Sequence, residues 1–296
     1  MLDIDAPLRS LTPHAVFHGD SHISPELGAM AFWKDYVFWL DVRTPEEKDH
    51  GRFSYAYSVP LNDLSSINLI PPAQSYVIPF SGSTFRTGVA WFWLNAMGYQ
   101  RVFALPSPIE KMLVKLDVAA LRERGIQFGC CSEKVLGEQA RPITNKESNM
   151  TKIHEVMQEL DFEYLGAGKH AVTERDFLGM VHDKNVFFLD VRTDEELGCS
   201  SYPWAYHIPL HQLPGRIEEL PKDKLIVPFC SSVFRASITW AWLKGKGFEQ
   251  VKTLIIGTET IATLLKPASL FAMGNSLSTP VSRSTYSKTP QCCAAR

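Results

Sequence analysis

"PFCSSVFRASITWAW" (228–242) and "PFSGSTFRTGVAWFW" (79–93) are two versions of one pattern in a chain of 296 residues. They are separated by 228 − 79 = 149 positions. The same offset carries "FWLDVRTPEE" from Phe38 onto "FFLDVRTDEE" from Phe187, and "AYSVPL" from Ala56 onto "AYHIPL" from Ala205. Between 38 and 105 the alignment needs no gap, and 25 of 68 positions are identical. Unrelated segments would share only a handful, and a period this long marks a duplicated domain rather than a solenoid. One exchange sits at the centre of the repeat: Cys230 of the second copy is Ser81 in the first.

Each copy has the same order of elements. An apolar run ("YVFWLDV", "NVFFLDV") ends at an aspartate and reads as a buried strand. A short strand follows at "YSVPL" and "YHIPL", and a third ("SYVIPF", "KLIVPF") leads straight into the repeated loop. Helices are predicted over 86–97 and 235–246, closed by Gly98 and Gly247. A last strand is expected near "RVFAL" and "VKTLI". Strands alternating with helices predict an α/β fold, a parallel sheet with helices on both faces in each copy. Ligand sites in such sheets lie at the carboxyl ends of the strands, where "PFS" and "PFC" finish.

The bulk properties exclude more than they assign. A formal charge of −2 gives no global case for nucleic acid or an anionic membrane as partner. No apolar run is long enough to span a bilayer, and "MLDIDAPLRS" lacks the form of a signal peptide, so a cytoplasmic protein is expected. The six cysteines (Cys130, Cys131, Cys199, Cys230, Cys292, Cys293) follow neither metal-site nor secreted-scaffold spacing and are weighed one by one. Cys199 follows an acidic turn and reads as inert; Cys292 and Cys293 read as incidental thiols of a tail.

Cys230 is placed differently. The strand ends at Phe229 and a helix starts near Arg235, so the thiol lies where backbone N–H groups converge on a helix N-terminus. That environment, with Arg235 at the end of the loop, favours a thiolate and makes Cys230 a candidate nucleophile for covalent group transfer.

"LDVRTDEE", "AYHIPL" and "CSSVFRAS", in this order and spacing, resemble the rhodanese superfamily. The whole chain is similar to its tandem-domain sulfurtransferases, over 24–125 and 150–268. The resemblance implies transfer of sulfane sulfur without metal or organic cofactor. Cys230 would take the sulfur as a persulfide cradled by Ser231, Ser232, Val233, Phe234 and Arg235. The donor would be thiosulfate or another persulfide, and the acceptor a thiol, cyanide or a sulfur-relay protein. Phosphatases of similar fold carry a longer loop; here four residues separate Cys230 from Arg235, which suits one sulfur atom better than a phosphate.

Two departures bear on the site. The family's loop commonly has glycine where Val233 stands, so altered backbone angles are expected there. In the first copy Ser81 cannot form a persulfide, although Arg86 is kept, and Ser58 replaces His207; that copy is expected to be catalytically silent, with its cradle intact. Asp190 and Arg192 are candidates for orienting an anionic donor or, since Asp41 and Arg43 repeat them, for a structural ion pair. His207 reads as a hydrogen-bonded structural histidine. His14, His18 and His22 are spaced by four, but Gly19, Asp20 and Ser21 break the helix a metal site would need. One tryptophan of each pair (Trp91/Trp93, Trp240/Trp242) is expected in the core and the other at a rim or interface.

The expected organisation is a silent domain over 10–125, a linker over 126–150, a catalytic domain over 151–272 and a disordered tail over 273–296. "TKIHEVMQEL" is read as a helix leading into the second domain. Two other functions fit the same sequence: a non-catalytic binding module, and a persulfide carrier serving a partner enzyme.

Overall fold

Strand β1 (Val37–Asp41) lies between β2 (Ala56–Ser58) and β3 (Tyr76–Phe80), all parallel. In the second half β4 (Val186–Asp190) lies between β5 (Tyr206–His207) and β6 (Leu225–Phe229), again all parallel. The registers coincide at the 149-residue offset: Asp41 pairs with Ser58 and Phe80, and Asp190 with His207 and Phe229. The chain is thus two tandem α/β units, as the repeat predicts. The computed structural model describes residues 3–32, 34–49, 56–72, 74–113, 115–116, 140–142 and 152–265. The expected tail, with Cys292 and Cys293, and the expected linker apart from 140–142 lie outside them. Within that linker, Ala140–Pro142 is a strand paired antiparallel with Ile67–Leu69.

Both sheets bury two faces. In β1, Phe38 and Leu40 join the central core while Trp39 joins an outer cluster with Ile109 and Met112. In β6, Ile226 faces the central core, and Val227 and Phe229 face Phe177 and Ile261. Successive side chains point to opposite faces of a strand, so a continuous apolar run is what a sheet covered on both sides requires.

The short helix α1 (Pro45–Lys48) follows β1, and α2 (Thr84–Ala96) follows β3. Their counterparts are α3 (Asp194–Cys199) and α4 (Phe234–Gly245). Gly98 and Gly247, with φ of 84° and 90°, stop the two long helices as the sequence predicts. Helices α2 and α4 pack on each other and join the halves. A Cβ on Gly88 would lie 2.8 Å from Ser237 Cβ and 3.0 Å from Phe234 O. Gly88 and Ser237 are equivalent positions (88 + 149 = 237), so an approximate twofold axis passes between them. Ring contacts repeat across it: Phe85 against Trp240 at 5.1 Å, and Phe234 against Trp91 at 5.9 Å. All four tryptophans are consequently buried: Trp91 and Trp240 lie at the interface that was expected for one residue of each pair, and none lies at a rim. A helix covered by its own sheet on one side and its twin on the other has no rim.

The segments ahead of each half are exchanged about the same axis. Asp5 accepts a hydrogen bond from Trp242 Nε1 at 2.7 Å and pairs with Lys246. Reciprocally, the helix Lys152–Gln158 buries Ile153, Val156 and Met157, and its His154 ring lies 6.4 Å from Trp93. That helix packs on the first half through Trp93 and the turn Leu61–Ser66, not only on the half it precedes.

Candidate active site

Cys230 is the first residue beyond β6, fully buried, and the one free thiol among the described residues. Cys199, read as inert, is disulfide-bonded. Helix α4 does not begin straight away, because Val233 takes φ 72° and ψ −30°. A β-branched side chain is strained in that region, which glycine occupies freely. Val233 thus adopts backbone angles that glycine takes freely. The turn delays the helix to Phe234, and none of the backbone N–H groups from Ser231 to Arg235 donates to a described residue. Ser231 and Ser232 are exposed.

Arg235, although buried, is doubly bonded to Glu196 (Nη1 to Oε2 2.6 Å, Nη2 to Oε1 2.7 Å), and its Nη2 also donates to Ser231 Oγ at 2.9 Å. Burial works against its charge, but the Glu196 hydrogen bonds, then the neighbouring Cys230, Glu196 and Asp190, hold its pKa above the ordinary value. Burial likewise opposes ionisation of Glu196. The Arg235 hydrogen bonds and charge outweigh it, with the Thr193 N–H and Arg192 adding, and bring its pKa down to about 2. Glu196 is placed by a capping box at the start of α3: its carboxylate accepts from Thr193 N, and its own N–H donates to Thr193 Oγ1. Sequence reasoning passed over Glu196, yet the repeat carried the signal, since Glu47 stands at the same offset and pairs with Arg86. Gly257 was also missed; a Cβ there would overlap Ser231 O.

The remaining candidates lie just behind this loop. Asp190 holds Arg192 through Nε and Nη2, the latter at 2.7 Å. Arg192 also donates to Ser200 Oγ and O and lies 4.9 Å over the Tyr202 ring. With its donors spent on the fold, and with Asp41 and Arg43 pairing identically in the first half, the geometry favours the structural ion pair. His207 Nε2 lies 2.9 Å from Arg192 O, and Nδ1 lies 3.8 Å from Asp194. From the first half, His22 reaches the ring of Phe234 at 6.1 Å. Burial, and then Arg235, lower its pKa. His14 and His18 stack at 3.9 Å on a helix that stops at Gly19, and no cluster among the described residues could hold a metal ion.

The first-half loop is built differently, and the expectation of an intact second cradle is corrected. Helix α2 begins one position earlier, at Thr84, the equivalent of Val233. Ser83, in extended conformation, caps it by accepting from Arg86 N. Ser81 Oγ accepts from Ser83 N at 3.1 Å and donates to Ser83 O at 2.7 Å. The loop's own serines take up donors that the second-half loop leaves open.

Comparison with known proteins gives a family match in the second half. The profile of the Rhodanese-like domain matches residues 173–263. A sulfurtransferase of Allochromatium vinosum is 34% identical over 71 residues, covering 24% of this chain and 66% of its own length. The putative sulfurtransferase YtwF of Bacillus subtilis is 36% identical over 69 residues, covering 23% of this chain and 67% of its own. The chain thus spans about two thirds of the length of these two relatives. Among solved structures, Escherichia coli SseA, described as a 3-mercaptopyruvate sulfotransferase, is 14% identical with a TM-score of 0.32, over 79% of this chain and 96% of that one. No helix among the described residues is long and apolar enough to cross a membrane.

Proposed function

The chain belongs to the rhodanese superfamily of sulfurtransferases, and we propose that it moves sulfane sulfur through a persulfide on Cys230. The observation that carries this reading is the pairing of a free thiol with a loop whose N–H groups from Ser231 to Arg235 are uncommitted. In the first step the Cys230 thiolate attacks the outer sulfur of a donor such as thiosulfate or another persulfide. A new S–S bond forms, the donor's S–S bond breaks, and sulfite or the donor thiolate leaves with the electron pair. The loop N–H groups then hold the negative outer sulfur, a role suited to fixed dipoles in a site shielded from water. In the second step a thiol, cyanide or a protein thiolate attacks that sulfur and returns the Cys230 thiolate.

Arg235 and Glu196 give the loop its shape: the guanidinium clamps Ser231 from one side and is itself clamped to α3. Asp190, Arg192 and His207 support the loop from behind without taking part in the exchange. The first half is catalytically silent, because Ser81 is no nucleophile for sulfur and its loop has closed on itself.

Incubation with thiosulfate, mercaptopyruvate or glutathione persulfide, followed by intact-mass measurement, should show one added sulfur atom. Cys230→Ser should add none. Failure of every donor on the wild type, or sulfur retained by Cys230→Ser, removes the reading.

A further inference from the structure

A cavity lies over the first-half loop, and Cys230 is not among the residues that wall it. It encloses about 480 Å³ and is walled by both halves: Ser83 to Arg86, Thr44 and Glu47 on one side, Phe162, Leu165, His170, Thr173 and Ile255 on the other. Val233 of the catalytic loop also reaches its wall. A volume of this size is typical of a small-molecule site, and an apolar lining with a few converging polar groups is the usual composition of one.

Its polar groups have a direction. His170 lies against Phe85 at 4.1 Å, and its Nδ1 is buried without a hydrogen-bond partner. A buried polar atom left unpaired is costly, so a bound group able to pair with it gains by doing so. The N–H groups of Thr84 and Phe85, in the first turn of the 13-residue helix α2, donate to no described residue. Arg86 and Lys252 both act on His170 as positive charges, and its pKa, lowered first by burial, falls to about 4. Uncommitted N–H donors, in a wall where Arg86 pairs with the Glu47 carboxylate, suit an anionic head, and Phe85, Phe162, Leu165, Val233 and Ile255 suit an apolar body.

We propose that this cavity is a second ligand site, distinct from the Cys230 loop, for a small organic carboxylate with an aromatic or branched aliphatic body. The silent half then has a use that its lost cysteine does not reveal: its relaxed loop forms the floor of a binding pocket, roofed by the other half. The site does not depend on sulfur chemistry at Cys230.

The test uses the full chain and 3-phenylpropanoate, with 3-phenylpropanamide as the uncharged control, in calorimetric titrations near neutral pH. The acid should bind saturably at one site, and the amide about tenfold more weakly, as expected for loss of a charged hydrogen bond. Ile255→Trp, at a half-exposed position on the cavity wall, should abolish binding while leaving the thermal midpoint within a few degrees of wild type. His170→Phe should weaken it severalfold. Cys230→Ser should bind as wild type does, which separates this site from the sulfur-transfer reading. Absence of saturable binding, equal binding of acid and amide, or binding undiminished in a folded Ile255→Trp protein overturns the proposal.

Discussion

At the residue scale the decisive position is Val233. A non-glycine residue at φ 72° costs about 1–2 kcal/mol, and more when β-branched. Glycine removes that cost but loses more backbone entropy on folding, about 0.5–1 kcal/mol. Val233→Gly should therefore stabilise the protein by about 1 kcal/mol in urea unfolding while sulfur loading of Cys230 is retained. Ser81→Cys makes the complementary prediction. Because the first-half loop is capped by Ser83 and starts its helix at Thr84, a cysteine there should gain no second sulfur by intact mass. Restoring the nucleophile does not restore the left-handed turn that opens the ring of donors.

At the element scale, the loop depends on a helix distant in sequence. Arg235 on α4 is fixed by Glu196 on α3, 39 positions earlier, in a pocket where both are largely buried. The sign of the resulting pH dependence follows from the Glu196 carboxyl, whose pKa is about 2 in the folded state. A depressed carboxyl stabilises the fold above its unfolded pKa, about 4.5, and the contribution is lost as pH falls toward 2. It amounts to at most about 3 kcal/mol. Glu196→Gln should thus unfold at lower urea than wild type at pH 7, and the two should converge as pH drops below about 3. Elements of this kind were legible in part. The three parallel strands of each half, both long helices and their glycine stops lie where the apolar runs and caps place them. Of the last strands expected near 101–105 and 251–255, the second is only Thr253–Leu254, paired with Ala171–Val172, and the first is reduced to isolated bridges at Val102 and Ala104. Glu196 was not recognised, because in sequence it is one more acidic residue in the first turn of a helix, and its partner is supplied by the fold.

At the scale of the whole molecule, the two halves share one central core about an approximate twofold axis. Gly88 is what permits the approach of α2 to α4, since a side chain there would meet Ser237 and the Phe234 carbonyl. Gly88→Val should destabilise the protein by about 1–3 kcal/mol, the usual cost of overpacking. Phe234 adjoins Val233, so the same substitution should also slow sulfur loading of Cys230, read as the rate of mass gain. The exchanged segments follow the same geometry: Asp5 closes over Trp242, and the helix Lys152–Gln158 closes over the first half. Domain limits drawn on the sequence could not show this, because a boundary in the chain does not say which side an apolar helix face will cover.

The repeat at a 149-residue offset and the order of strand, loop and helix are local patterns of hydrophobicity and turn chemistry. For that reason the sequence alone determined the duplicated α/β architecture and singled out Cys230 and Arg235. What only the tertiary structure decided depends on groups brought together from afar or on backbone angles. Val233 is held in a left-handed turn, its counterpart Thr84 relaxes into a helix, Glu196 clamps Arg235, and a cavity opens where the two halves meet over the loop that lost its cysteine. These arrangements join residues far apart in the chain, which no local pattern of the sequence records.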